Sequence, residues 1–110
     1  MSDNRISNLL FVCTGNTCRS PMAEHLAAHL TRKLEGWAFS SAGLFASPGA
    51  PASSGAVEVM RERGLDLSGH RARLVDDAML ADIDWVIPMT RGHEQLLLER
   101  SEERRVGKEC

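Results

Sequence analysis

A chain of 110 residues, 43% hydrophobic and 25% charged, has room for one ordinary globular domain. Its formal net charge of -2, with no basic block, argues against a nucleic-acid or anionic-membrane surface. Three cysteines make no disulfide framework, Met1 to Ser7 is polar, and no apolar run reaches the length of a secretory core or a membrane span, so the expected compartment is the reducing cytoplasm.

Taken in order, Leu9-Leu10-Phe11-Val12 reads as a buried strand, and Gly15-Asn16 inside the polar run that follows forces a tight loop. Ser20 is a favoured N-cap, and Pro21 at a first helical position gives up only an N–H with no intrahelical partner. A helix is predicted from Pro21 to about Leu34, with Met22, Ala23, Leu26, Ala27, Leu30 and Leu34 at helical spacing. His25 and His29 lie four apart, a spacing that can hold a metal, but no third ligand is near. The pair is read as a solvated helix face, and neither metal nor cofactor is expected.

Trp37 to Ala42 reads as a second strand ended by Gly43, and Leu44 to Pro51 as a loop rich in Gly, Pro, Ser and Ala. A helix from about Ala52 to Arg63 turns Ala56, Val57 and Met60 inward, leaves Glu58, Arg61, Glu62 and Arg63 in solvent, and stops at Gly64. Leu74 to Ala81 is a short amphipathic helix. Ile83 to Met89 is a third strand with Pro88, which lacks a ladder donor, at its end. Thr90 caps a last helix through Leu96, Leu97 and Leu98. Strands alternating with helices imply an α/β fold, a three-layer sandwich around a small parallel sheet with right-handed crossovers. Ligands in such sheets bind beyond the carboxyl ends of the strands, where Cys13 is placed.

The stretch from Cys13 to Ser20 has the makings of an oxyanion trap. Gly15 takes a positive φ freely and Asn16 tolerates one, so the N–H groups of Thr14, Gly15, Asn16, Thr17 and Cys18 can turn inward as an anion-binding nest. The helix start adds its positive end, and Arg19 offers a planar fork of donors matching two oxygens of a tetrahedral anion. The same field favours a sulfur anion at Cys13, a nucleophile aimed at a bound phosphorus.

Cys13, five intervening residues, Arg19 and Ser20, followed by Pro21-Met22-Ala23-Glu24, resemble the signature loop of the low-molecular-weight protein phosphatases. Thr17 within Cys-Thr-Gly-Asn-Thr-Cys-Arg-Ser resembles the bacterial protein-arginine-phosphatase branch more than the branch with a bulky aliphatic residue there. The resemblance implies a Rossmann-like fold and a cysteine-dependent phosphatase acting on phosphotyrosine or phosphoarginine in proteins, with Thr17 favouring phosphoarginine. Phosphorylated protein would be the partner and inorganic phosphate the product, with no cofactor. It makes Cys13 the nucleophile and Arg19 the oxyanion clamp, with Ser20 steadying the thiolate as leaving group. Ser41 would hold Asn16, and His70 would complete that network, although His70 also reads as a plain loop histidine. The family further implies a reversible Cys13–Cys18 disulfide, against Cys18 as a small buried residue, and a cleft walled by the Leu44–Pro51 loop with Phe45. Arsenate reduction and a non-catalytic phosphate-binding module are the alternatives; no later cysteine pair favours the first.

Residues 100–110, from Arg100-Ser101-Glu102 to Lys108-Glu109-Cys110, equal the translation of a common sequencing-adapter string. The expectation is therefore a phosphatase domain in residues 1–99 that is truncated, followed by a non-native tail; a native charged tail is the alternative. Family members continue into another strand and helix, with an Asp-Pro motif whose aspartate protonates the leaving group. No Asp-Pro occurs in this sequence, and none of Asp76, Asp77, Asp82 and Asp84 lies in that context. General acid help is worth about 10² to 10⁴ in rate, so weak activity is expected of the chain as it stands. The edge of the third strand is expected to lack a partner, which favours aggregation.

Overall fold

The computed structural model describes residues 6–99, so the readings of residues 1–5 and of the 100–110 tail lie outside it. Its elements are β1 (Ser7–Cys13), α1 (Arg19–Leu30), β2 (Trp37–Gly43), α2 (Ser54–Glu62), α3 (Asp77–Ala81) and β3 (Trp85–Pro88). Residues 91–99 form a further helix, α4. The strands make one parallel sheet in the order β2-β1-β3, with Cys13 beside Gly43 and Phe11 beside both Ser41 and Ile87. The chain leaves central β1 for one flank and later returns to the other. Its connections therefore diverge at the carboxyl end of β1, where open α/β sheets form their ligand crevice.

Period-two alternation assigns the two faces. Leu10 and Val12 of β1 join Ala42 and Val75 in one core, covered by Met79 and Leu80 of α3 and Leu97 of α4. The opposite face meets α1, whose Glu24 accepts a hydrogen bond from Ser41 of β2. Between α1 and α2 lies a second core of Ala52, Ala56, Met60 and Leu67, closed by Met22 and Leu26. Helices on both faces of the sheet give three layers. β3 pairs with β1 alone among the described residues, and Trp85 beside that open edge is 63% exposed.

Helix boundaries move where a polar side chain has a better partner than the sequence pattern reveals. α1 starts at Arg19 behind Cys18, two residues before the expected Pro21, because the Ser20 hydroxyl is drawn to Cys13 and Asn16 instead of capping. Pro21 then occupies the third helical position, where an N–H would still be orphaned. α1 ends at Leu30, where Thr31 turns its hydroxyl back to the Ala27 carbonyl at 2.8 Å, so Leu30 and Leu34 stand 75% and 62% exposed instead of completing the buried stripe. α2 starts after Ser53, whose hydroxyl accepts from Ala56 N–H, and its end is followed by Gly64 at φ 77°. The helix expected from Leu74 is confined to Asp77–Ala81, because Asp76 caps it and residues 73–75 pair instead with Gly43.

Met60 is 1% exposed and central to the α1–α2 core. Met60→Ala is expected to lower unfolding free energy by about 2 to 5 kcal/mol in a urea titration, from lost transfer energy plus the cavity left behind. A loss under about 1 kcal/mol would mean that this core collapses around the gap.

Candidate active site

The loop after β1 is curled, and its bend is Asn16 at φ 57°, the one positive-φ residue other than glycine among those described. Asn tolerates this left-handed backbone better than other non-glycine residues, and three fixed contacts hold it there. Its side chain is fully buried. Nδ2 donates to Ser20 Oγ at 2.9 Å, Oδ1 accepts from the Arg73 N–H at 2.8 Å, and the main-chain carbonyl accepts from His70 Nε2 at 2.7 Å. The last contact requires the His70 proton on Nε2.

Cys13 is buried at the end of β1. Its Sγ accepts from the Asn16 N–H at 3.2 Å and lies 2.8 Å from Ser20 Oγ. Because Ser20 Oγ already accepts from Asn16, its own proton is free to point at sulfur. Amide, hydroxyl and sulfur form a relay in which both bonds end on sulfur as acceptor, the arrangement that a nucleophilic thiolate needs. The N-terminus of α1 opens beside it, with no side chain capping its first N–H groups. Arg19 is exposed in that first turn, and the one ion pair among the described residues is Arg61–Glu58, so the Arg19 guanidinium is available to an anion. Thr17 ties the far side of the loop to the α2 cap, its carbonyl accepting from Ser53 N–H at 2.8 Å.

Gly43, opposite Cys13 on β2, is the close-approach point. A Cβ there would lie 2.5 Å from the Thr14 carbonyl oxygen, 2.9 Å from Asn16 N and 3.0 Å from Ala46 Cβ. Leu44 N–H reaches the Cys13 carbonyl and Phe45 N–H the Thr14 carbonyl, both at 2.9 Å. The Phe45 ring is left largely exposed beside the loop.

Ser41 is not where the resemblance put it. Its hydroxyl donates to Glu24 Oε1 at 2.6 Å and not to Asn16, because it lies level with Phe11, below Cys13, on the face covered by α1. The amide of Arg73 takes the Asn16 side chain instead. Glu24, His25, Ser41, Asp66, His70 and Arg73 line a pocket of about 270 Å³ near the loop. Asp66 there sits below the ordinary carboxylate value, since the Ser68 hydroxyl and N–H both donate to it. His25 Nδ1 is spent on the Pro21 carbonyl at 3.0 Å, and the described residues hold no group of three metal-binding side chains. Asp84 accepts from Asn8 N–H at the amino end of the sheet, remote from Cys13. Cys13 and Cys18 are both free thiols, Cys18 exposed.

Glu24, Arg73 and His93 were missed by sequence reasoning. His93 sits in α4 with Nε2 2.9 Å from Thr14 Oγ1. The usable signal was Thr90, an N-cap that places His93 in the first helical turn just past the end of β3. Arg73 acts through its backbone, for which its residue type gives no sign.

A buried sulfur accepting from an amide and a hydroxyl, a curled loop, a helix start with no side-chain cap and an exposed guanidinium are an arrangement that can bind a tetrahedral oxyanion and attack its central atom. A profile described as low molecular weight phosphotyrosine protein phosphatase matches residues 8–108. The protein-arginine-phosphatase of Geobacillus stearothermophilus is 42% identical over 95 residues, a match taking in 84% of this chain and 60% of the relative. Among solved structures, the low molecular weight protein tyrosine phosphatase from T. tengcongensis gives a TM-score of 0.80 at 46% identity, over 84% of this chain and 65% of that one. A mutant of the arginine phosphatase YwlE with a phosphorylated active site serine gives 0.81 at 37% identity, over 84% and 61%. The chain therefore spans 60 to 65% of the length of these relatives. Across that span the strand, curled loop and helix start all fall within the match, and the chain belongs to the low molecular weight phosphotyrosine protein phosphatase family.

Proposed function

We propose that this chain carries the phosphoryl-transfer centre of a cysteine-dependent protein phosphatase. The observation that carries the reading is Cys13 Sγ held by Asn16 N–H and Ser20 Oγ at the floor of the loop. Cys13 attacks phosphorus in line, the P–O or P–N bond to the substrate breaks, and the leaving group departs with the bond's electron pair and takes its proton from water. Arg19 and the loop N–H groups not spent on sulfur hold the equatorial oxygens. Water then attacks the phosphocysteine, releasing inorganic phosphate and returning the thiolate. The phosphorylated serine in the YwlE mutant fits a phosphoryl group carried on the residue at this place. The reaction belongs in the cytoplasm, where a reducing milieu keeps Cys13 and Cys18 apart.

By its likeness to the arginine-phosphatase branch, Thr17 favours phosphoarginine over phosphotyrosine. Thr17→Ile in the full-length protein is expected to lower kcat/KM for a phosphoarginine peptide by roughly 10- to 200-fold while phosphotyrosine hydrolysis is kept or gained. Equal loss on both substrates would remove Thr17 as the selector, and no turnover of either would remove the phosphatase assignment. We also assign 100–110 to adapter read-through outside the phosphatase domain of residues 1–99, although the family match runs on to residue 108. Sequencing the intact locus past Glu99 tests this, and codons for the same tail would overturn it.

A further inference from the structure

We infer that His93 is a positioning residue for the anion cup, holding Thr14 and with it the amide next to the nucleophile. This rests on the phosphatase reading of the site. The Thr90 hydroxyl accepts from the His93 N–H at 3.1 Å, which fixes the first turn of α4 beside the loop. From there the ring, 7% exposed, places Nε2 2.9 Å from Thr14 Oγ1.

The other ring nitrogen decides the direction of that bond. Nδ1 is buried and has no hydrogen-bond partner among the described residues. An orphaned buried N–H is rarer and costlier than an under-used acceptor, so the neutral ring carries its proton on Nε2 and leaves Nδ1 as a bare lone pair. His93 then donates and Thr14 Oγ1 accepts, which turns the threonine proton away from the ring. Thr14 is gripped twice, by Phe45 N–H on its carbonyl and by His93 on its side chain. Its neighbours Val12 and Cys13 are each tied through a carbonyl, to Met89 N–H and Leu44 N–H. The side-chain grip is the one that stops Thr14 from swivelling about its own carbonyl bond. An amide held before the anion arrives needs no reorganisation when charge develops, which is where such donors gain their strength.

The test uses the 110-residue chain, with inorganic phosphate as one probe and 4-nitrophenyl phosphate, whose leaving group departs without a proton donor, as the other. Phosphate affinity is read from the amide NMR signals of Thr14 to Ser20, and phosphocysteine formation from the stopped-flow burst. His93→Phe keeps the bulk and loses the donor, His93→Gln keeps a donor near Nε2, and Thr14→Val removes the acceptor. His93→Phe and Thr14→Val are each expected to weaken phosphate binding and slow the burst by about 10-fold, the equivalent of one neutral hydrogen bond. The double variant should be no worse than either single, His93→Gln should recover most of the loss, and thermal midpoints should stay together. Parental affinity and Thr14 shifts in His93→Phe, a glutamine variant as weak as phenylalanine, or losses that multiply would each overturn the inference. A parent chain that binds phosphate through the His93 donor yet gives no burst would remove the phosphatase reading and leave the positioning role standing.

Discussion

Cys13→Ser is expected to abolish turnover of an aryl phosphate while phosphate still binds with an affinity within about 3-fold of the parent. Loss of the nucleophile in a covalent mechanism removes on the order of 10⁴ to 10⁶ in rate, because a hydroxyl at this place has no base to deprotonate it. Sulfur lies at the floor of the cup and makes none of its walls. The open α1 terminus and Arg19 are untouched by the exchange, and although the Asn16 N–H faces oxygen in place of sulfur, Asn16 keeps the bonds to Ser20, Arg73 and His70 that hold its backbone. Calorimetric titration with phosphate and release of nitrophenolate read the two halves separately. A serine variant keeping more than about 1% of turnover would remove Cys13 from the reaction, and one that no longer binds phosphate would mean that sulfur shapes the loop.

Gly43→Ala is expected to weaken phosphate binding by about 10²-fold or more, although residue 43 makes no contact of its own with the anion. The added methyl would meet the Thr14 carbonyl and the Asn16 amide, both main-chain atoms of the loop, at 2.5 and 2.9 Å. Neither can swing aside as the end of a flexible side chain does, so the curl itself must shift, and a displacement of about 1 Å at such a centre costs around 10² in rate. Overpacking of this kind also lowers stability by about 1 to 3 kcal/mol. Gly55 in α2 is the internal comparison, since a Cβ there meets nothing within 4 Å. Gly55→Ala should bind phosphate as the parent does and be slightly more stable. Parental affinity in Gly43→Ala would contradict the close approach of β2 to the loop.

How much was legible in advance divides by distance along the chain. The strand from Leu9, the bend at Gly15-Asn16, the start of the helix beyond it and the Thr90 cap all follow from neighbours a few residues apart, and the structure places them within two residues, whereas that helix ends at Leu30, four residues short of the expected Leu34. Ser20 was misjudged because its local signal, a favoured cap before Pro21, competes with a hydroxyl contact to Cys13. Leu74 and Val75 read as helix by their apolar spacing but pair with Gly43, a partner that no local window contains. Ser41 was assigned to Asn16 by analogy, and strand register gave it to Glu24. Arg73 gave no sign because it acts through its main chain, and the Thr90 cap placed His93 in the first turn of α4 without revealing its partner 79 residues away.

The tethers of the loop carry a kinetic implication. Asn16 is fastened to residues 54 and 57 positions downstream and Thr14 to one 79 positions downstream, so a peptide of the loop alone would keep only its short contacts to Cys13 and Ser20 and lose the long-range struts. Closing contacts over such separations is slow and entropically expensive, whereas α1 and α2 can form from nearby residues within microseconds. During refolding, helical signal should therefore be recovered before the capacity to hold an anion, which makes oxyanion affinity a reporter of completed tertiary structure in this chain.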